Sequence, residues 1–168
     1  MDFSLNDEQR QLKDSVDRFV REQYSFDKWR KVIGTSLGYS DDNWRQMAEL
    51  GWLGVSVPEA DGGLGGTPVE TMVIMEGIGQ GLVVEPYLST VVLGGGLLAR
   101  GGSAAQKQAI LPKLIEGKLK LAFAHAEPQA RYVLQDVATT AKADGGGFVL
   151  NGKKIVVFDA PSADQLIV

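Results

Sequence analysis

Apolar residues in the first two-thirds of the chain recur at the three- and four-residue spacing of amphipathic helices. From Leu5 to Val20 this spacing is regular, and Asn6 followed by Gln9 forms a capping box, which predicts a helix over residues 7–23. The same reasoning predicts a helical piece that ends near Gly34, a helix from Ser40 to Gly51, a long loop over 52–66, and helices over 67–80, 86–100 and 103–116.

Two of these predicted helices carry more specific signals. Thr67 stands at an N-cap, with Pro68 directly after it and Glu70 at the third helical position, so three start preferences coincide. The residues of this helix predicted to face inward are Val69, Met72, Val73, Met75 and Ile78. The helix over 86–100 contains three consecutive glycines at 94–96, and each costs about 1 kcal/mol of helix propensity against alanine. We therefore expect close backbone packing there, or a wall against a ligand.

The hydrophobic period changes after Gly117, where alternation predicts strands. These strands cover residues 119–126, 139–143, 148–150, 153–158 and 165–168, with a glycine turn at 144–147 and an Asn151-Gly152 hairpin signal. The pattern predicts an α+β protein, with an N-terminal all-α helical domain over residues 1–118 and an incomplete antiparallel β-barrel-like domain over residues 119–168. A final strand without a following neighbour leads us to expect a sequence that is cut short.

Composition narrows the function class. A net charge of −4 and a sequence pI near 5.0 argue against nucleic-acid binding, which favours a basic face. The absence of cysteine excludes disulfides, thiolate catalysis and cysteine-ligated zinc, and we predict no metal site. The first residues lack the features of a secretory signal, and no apolar run is long enough for a membrane helix. We therefore expect a soluble cytoplasmic protein that does not act at a membrane.

Three stretches carry a resemblance to a known family. They are residues 57–66 (VPEADGGLGG), 109–128 (AILPKLIEGKLKLAFAHAEP) and 139–152 (TTAKADGGGFVLNG). They resemble, respectively, the loop between the third and fourth helices of acyl-CoA dehydrogenases, the link into the first strand of the β-domain, and the hairpin that follows. These matches run in family order along the chain, so the sequence is identified as similar to the front part of such an enzyme.

The resemblance implies an FAD-dependent enzyme of fatty acid metabolism that oxidises an acyl-CoA substrate between Cα and Cβ. In the family a glutamate takes the α-proton and FAD takes hydride from the β-carbon. Such proton removal requires a polarised thioester carbonyl in a dry site. That glutamate comes from a C-terminal helical domain, expected beyond Val168. We therefore assign no catalytic residue here, and we predict that this chain alone is inactive.

The resemblance also implies contacts to FAD, which the family makes through its first β-strand and a later Trp-Ile-Thr triplet. The corresponding candidate cofactor-binding residues are Phe123, His125, Ala126, Val156, Val157 and Phe158. Here Ala126 lacks the hydroxyl of the family's threonine, and the Val-Val-Phe triplet lacks the indole and a second hydroxyl. Backbone donors remain available to hold FAD. For His125, a donor role toward the ring and a purely structural role satisfied by backbone both stay open.

Three candidate substrate-binding residues follow from the same resemblance. Tyr87 lies where the family shapes the floor of its acyl pocket, and helix packing is the alternative. Arg131 and Tyr132 replace residues of a Gly-Ala-Gly-Ser-Asp turn, and they resemble a pair in the pimeloyl-CoA dehydrogenase small-subunit type. They are candidates to bind a CoA phosphate or the far carboxylate of a dicarboxylyl chain, or they form an exposed loop pair. Loss of both glycines predicts that the backbone turns differently there.

Three functions remain open from the sequence. The first is an acyl-CoA dehydrogenase seen as part of a longer chain, acting as a homo- or hetero-oligomer of such subunits. The second is a non-catalytic, flavin-poor partner subunit that packs against an active one. The third is a helical interaction module with a vestigial β-tail. Bound flavin distinguishes the first from the second, and the reading frame after Val168 tests the third.

Overall fold

Helices occupy most of residues 7–115 in the computed structural model, which describes residues 4–168. The first three residues of the predicted helical domain lie outside this range. The helices are α1 (Asp7–Gln23), α2 (Phe26–Ile33), α3 (Asp41–Glu49), α4 (Pro68–Gly81), a π-helix (Leu88–Gly95) continuing into α5 (Gly96–Gly101), and α6 (Ala104–Ile115). The strands are β1 (Leu121–Phe123), β2 (Thr140–Asp144), β3 (Gly147–Asn151) and β4 (Gln165–Ile167). The helical domain followed by strands confirms the predicted fold class, whereas the domain boundary after residue 118 stays a prediction.

The predicted helix starts are confirmed by their caps. Asn6, Thr67 and Ser103 each form a capping box with the residue three positions later. In each box the N-cap side chain accepts a hydrogen bond from a backbone N–H of the first turn. The side chain three positions later accepts a hydrogen bond from the backbone N–H of the N-cap residue. These contacts satisfy donors that a helix start otherwise leaves unpaired. The boundaries therefore follow from short-range sequence.

Helices α1 and α4 approach each other closely because glycines line their contact. A Cβ added at Gly77 would lie 2.1 Å from Cγ1 of Val16, and one at Gly81 would lie 2.6 Å from Cγ1 of Val20. The two pairs are each four residues apart, so they follow one ridge and one groove. The absence of side chains at these glycines lets the valines enter the groove.

The inward face of α4 differs from the prediction. Val73 and Ile74 are buried, but Met72 is 54 % exposed and Val69 is also exposed. A helix advances about 100° per residue, so a face that contains Val73 and Gly77 leaves Met72 at the side. The prediction was wrong for Val69 and Met72 because the glycine groove, rather than the apolar pattern alone, sets which face meets α1.

The predicted helix over 86–100 forms, but its first part is a π-helix. Its glycines pack closely, as predicted, since a Cβ at Gly94 would lie 2.6 Å from Cβ of Leu121. Thr90, which is fully buried, attaches the same strand. Its Oγ1 accepts from the N–H of Leu121 and donates to the C=O of Leu121, both at 3.1 Å. The π-helix and β1 are therefore held together by the Thr90 side chain and by the close fit of Leu121 at Gly94.

The core lies between the helices and β1. The rings of Phe19 and Trp52 meet edge to face, with centroids 5.2 Å apart. The most deeply buried side chains in the same cluster belong to Val16, Met47, Leu53, Ile74, Tyr87, Leu114 and Leu121. Within residues 4–168, no helix combines the length and apolar content that crossing a bilayer requires.

The strands form two separate pairs. β2 and β3 make an antiparallel hairpin, with Gly145 in the left-handed conformation at its turn (φ +57°). β1 and β4 instead pair in parallel, with Ala122 opposite Leu166. The antiparallel prediction is thus right for the hairpin and wrong for the other pair, and the strands of the described residues do not close into a barrel.

The predicted strand over 153–158 does not form, and Asn151-Gly152 is not a hairpin turn. Val156 adopts a left-handed φ of +50°, which interrupts an extended strand. Gly152 has another role, because a Cβ there would lie 2.2 Å from Oγ1 and 2.8 Å from Cα of Thr139. The glycine therefore permits close packing at the base of the hairpin.

Candidate functional site

The two segments predicted to face a cofactor lie side by side. The N–H of Ile155 donates to the C=O of Ala126 at 2.9 Å, so the segment of residues 123–127 contacts the segment of residues 154–158. Nζ of Lys154 reaches the C=O of His125 at 3.4 Å and Oε1 of Glu127 at 2.7 Å. The structure thus brings together residues separated by about thirty positions in sequence.

The surface of these segments is aromatic and apolar. The rings of Phe123 and His125 stack with centroids 5.3 Å apart, and both side chains are partly exposed. On the other segment Val156 is 71 % exposed and Phe158 is 60 % exposed, while Val157 is half-buried. A β-branched residue with positive φ, as at Val156, is an outlier that commonly occurs at functional sites.

Several backbone N–H groups of the two segments have no acceptor among the described residues. Within residues 4–168, the N–H groups of His125, Ala126, Val156 and Val157 donate to no other protein group. A flavin ring is flat and carries hydrogen-bond acceptors along its edge. The ring surfaces and free donors therefore fit such a group, although the side chain of Ala126 contributes no hydroxyl.

Glu127 is a buried carboxylate that connects several segments. It is 3 % exposed, and it accepts from Nζ of Lys154 (2.7 Å), Nε2 of Gln129 (2.7 Å), and the N–H groups of Ala138 (2.7 Å) and Thr139 (3.1 Å). The bond from Lys154, followed by those from Thr139 and Gln129, holds the pKa of this carboxyl well below its usual range. A carboxylate so fully engaged is a poor proton acceptor.

Arg131 and Tyr132 lie in the turns between β1 and the hairpin. Both are exposed, and Tyr132 is 97 % exposed. Arg131 has a left-handed φ of +47°. Arginine here adopts a conformation that glycine ordinarily favours, and the expectation that the backbone turns differently from the family's turn stays a prediction.

Tyr87 lies apart from this surface, in the core. It is fully buried, and its hydroxyl donates to the C=O of Trp52 at 3.1 Å. Burial raises the pKa of its phenol. The structure does not bring Tyr87 together with Arg131 or Tyr132, and its role toward substrate stays a prediction.

A cavity of about 620 Å³ adjoins the start of the π-helix, lined by Glu85, Leu88 and Asp159 among others. Glu85 is 5 % exposed and accepts from the hydroxyl of Tyr24 and from the N–H of Ser40. Burial raises the pKa of Glu85 to about 7. Asp159, directly after Phe158, accepts a 2.6 Å hydrogen bond from Oγ of the buried Ser89. That bond links the predicted flavin-side segment to the cavity.

Residues 6–118 match the family model described as "Acyl-CoA dehydrogenase, N-terminal domain". The chain belongs to the acyl-CoA dehydrogenase family. Among residues 4–168, no group of acidic and histidine side chains is arranged to hold a metal ion.

Relatives within the acyl-CoA dehydrogenase family extend beyond this match. Over 166 residues the chain is 34 % identical to mitochondrial isovaleryl-CoA dehydrogenase from Pongo abelii, covering 98 % of this chain and 39 % of the relative. It resembles a chain of the ChsE4-ChsE5 complex from Mycobacterium tuberculosis with a TM-score of 0.88 and 27 % identity, covering 100 % and 45 % of the two chains. It also resembles the structure of PigA with FAD and proline, with a TM-score of 0.84 and 29 % identity, covering 99 % of this chain and 44 % of the PigA chain. The chain therefore spans less than half the length of these relatives.

Sequence reasoning missed the roles of Glu127 and Lys154 in this member of the acyl-CoA dehydrogenase family. The two residues are 27 positions apart, and local periodicity carries no information at that distance. A usable signal was the lysine pair at 153–154 in an otherwise apolar segment, since a lysine that enters a buried region requires an anionic partner.

Proposed function

We propose that this chain forms the flavin-side wall of an FAD-dependent acyl-CoA dehydrogenase that oxidises an acyl-CoA thioester between Cα and Cβ. The observation that carries the proposal is the contact of residues 125–127 with residues 154–155, which brings together the segments that contain Phe123 and Phe158. The two segments offer aromatic and apolar side chains together with backbone N–H groups that have no acceptor in residues 4–168. FAD, when bound, supplies the hydride acceptor. This chain's own residues would bind the ring, orient it and exclude water.

The substrate side of the proposal rests on the cavity beside the π-helix. Its position next to Asp159 suits an acyl chain whose reacting end lies near Phe158. Arg131 and Tyr132 are exposed on the turns after β1, where they are available to a CoA phosphate or to a distal carboxylate. We assign no catalytic base to this chain, because Glu127 is fully engaged in hydrogen bonds.

Flavin content tests this proposal. Protein purified in its native assembly is expected to show flavin absorbance, and apoprotein is expected to take up added FAD. Phe158→Asp places a charge on the proposed ring surface and is expected to weaken FAD binding at least about tenfold. Phe148→Asp is the matched control, since Phe148 is 73 % exposed on the hairpin. Colourless protein that refuses FAD, or equal effects of the two substitutions, would contradict the proposal.

A second candidate is a flavin-poor partner subunit in a hetero-oligomer. The specific observation in its favour is that the side chains at 126, 156, 157 and 158 carry no hydrogen-bonding group. The ChsE4-ChsE5 structure, by its name, is a complex of two different proteins. Under this alternative the purified chain remains colourless, and it copurifies with a flavin-containing acyl-CoA dehydrogenase subunit.

A further inference from the structure

The two segments of the proposed flavin wall have few direct attachments to each other. Among the described residues, the bond from the N–H of Ile155 to the C=O of Ala126 is the one backbone hydrogen bond between them. The other attachment is the side chain of Lys154, which reaches both His125 and Glu127. Lys154 is therefore the side chain that links the two segments directly.

Lys154 is held in place by an ion pair that is largely removed from water. Its side chain is 15 % exposed, and that of Glu127 is 2 % exposed. A pair in such surroundings is screened little by salt, and removing one partner leaves an uncompensated charge. Glu127 is fixed in turn by the N–H groups of Ala138 and Thr139. The ammonium group therefore has a defined position.

The contact from Lys154 to the C=O of His125 has a consequence for the next N–H. A trans peptide is planar, and its C=O and N–H point in opposite directions. Since the C=O of His125 is directed toward Lys154, the N–H of Ala126 is directed away from it. That N–H has no protein partner within residues 4–168. The lysine thus fixes the direction of a free donor on the candidate site.

We propose that Lys154, held by Glu127, is a positioning residue that aims the N–H of Ala126 at the edge of the bound flavin and sets the spacing of the two wall segments. This inference rests on the proposed function. Neither side chain touches the flavin. Their contribution is to orient the peptide between residues 125 and 126, which replaces part of the hydrogen bonding that the missing hydroxyl at Ala126 does not supply.

The test compares Lys154→Met with Lys153→Met in the purified assembly. Lys153 is the exposed neighbour and forms no ion pair with the described residues, so it is a matched control. We expect Lys154→Met to weaken FAD binding about tenfold, the effect of losing one well-oriented hydrogen bond, and to shift the visible flavin spectrum and reduction potential. Lys154→Arg, which retains the charge and donors, is expected to restore most of the spectrum.

A second readout does not need flavin. In the apoprotein, hydrogen exchange at the amides of Ala138, Thr139 and Ile155 is expected to accelerate in Lys154→Met and not in Lys153→Met. Should Lys154→Met fail to fold, the double variant Glu127→Gln/Lys154→Met removes both charges and is measured in its place.

The outcomes separate the two levels of the proposal. Wild-type protein that takes up FAD, together with a folded Lys154→Met or double variant of unchanged affinity and spectrum, overturns the positioning role and leaves the proposed function intact. Wild-type protein that never binds FAD overturns both. Slower flavin uptake with an unchanged spectrum, and no rescue by arginine, also overturns the inference, because it indicates general destabilisation.

Discussion

The contact between α1 and α4 can be tested by adding a single methyl group. Gly77→Ala places a Cβ 2.1 Å from Cγ1 of Val16, whereas Gly79→Ala, on the same helix, adds a Cβ with no neighbour within 4 Å. Neither glycine has a positive φ, so alanine strains the backbone at neither position. The two substitutions are chemically identical and differ only in what the new methyl meets.

Gly77→Ala is expected to lower the free energy of unfolding, and Gly79→Ala is expected to raise it. Carbon atoms pack at about 3.5–4.0 Å, so the Gly77→Ala methyl requires a movement of roughly 1.4 Å or more. Val16 is stiff at χ1 in its helix and cannot easily rotate away. Overpacking of this kind costs about 2–3 kcal/mol, and the gain in helix propensity offsets about 1 kcal/mol of it. We expect a net loss of about 1–2 kcal/mol for Gly77→Ala and a gain of about 0.5 kcal/mol for Gly79→Ala.

Urea unfolding followed by circular dichroism measures both free energies. The double variant Val16→Ala/Gly77→Ala gives the facing residue a smaller side chain, so its loss is expected to fall short of the sum of the single losses by about 1 kcal/mol or more. A Gly77→Ala protein as stable as Gly79→Ala, or strictly additive single effects, would refute the close approach of the two helices.

Three further predictions follow from buried groups and close contacts. Tyr87→Phe removes one of the two hydrogen bonds to the C=O of Trp52, which still accepts from the N–H of Val55, and is expected to cost about 1 kcal/mol in thermal or urea unfolding; an unchanged stability would contradict the contact. Gly152→Ala is expected to cost about 1–3 kcal/mol, against no loss for Gly146→Ala at an open position, and equal effects would count against the packing described. Burial raises the pKa of Glu85 from its ordinary 4.5 to about 7, so between these two pH values the carboxyl is protonated in the folded state and ionised in the unfolded state. The free energy of unfolding is therefore expected to fall by about 3 kcal/mol as the pH rises from 4.5 to 7. Glu85→Gln should remove that slope in unfolding curves recorded at several pH values, and a slope equal to wild type would exclude Glu85 as its source.

The helix boundaries could be predicted because their causes are local. Asn6 and Thr67 each act on an N–H within three residues, so a short stretch of sequence contains both the donor and the acceptor. The π-helix could not be predicted in this way. Its glycines indicate close packing, but the packing partner, Leu121 of β1, lies 27 residues after Gly94 and cannot be identified from local sequence. Period alone does not distinguish an α-helix from a π-helix in such a segment.

The sequence indicated which two segments of the candidate site meet, but not how they are held together. The resemblance to the family indicated that residues near Phe123 and Phe158 face one ligand, and the structure does bring their segments together. The sequence did not indicate that residues 153–158 form no β-strand, because the left-handed φ of Val156 depends on contacts of the folded protein. Local sequence also gave no indication that Lys154 and Glu127 connect the segments.

The hairpin depends on the same connection. Every residue of β2 and β3 is exposed, so the hairpin buries little apolar surface of its own, and an isolated two-stranded hairpin is marginal in water. It is attached to the rest of the chain through Ala138 and Thr139, whose N–H groups donate to Glu127, and Gly152 packs against Thr139 at its base. The carboxylate that holds Lys154 therefore also anchors the base of the hairpin. If Lys154 positions the N–H of Ala126 as proposed, order in this hairpin and the direction of that donor both depend on one buried charge.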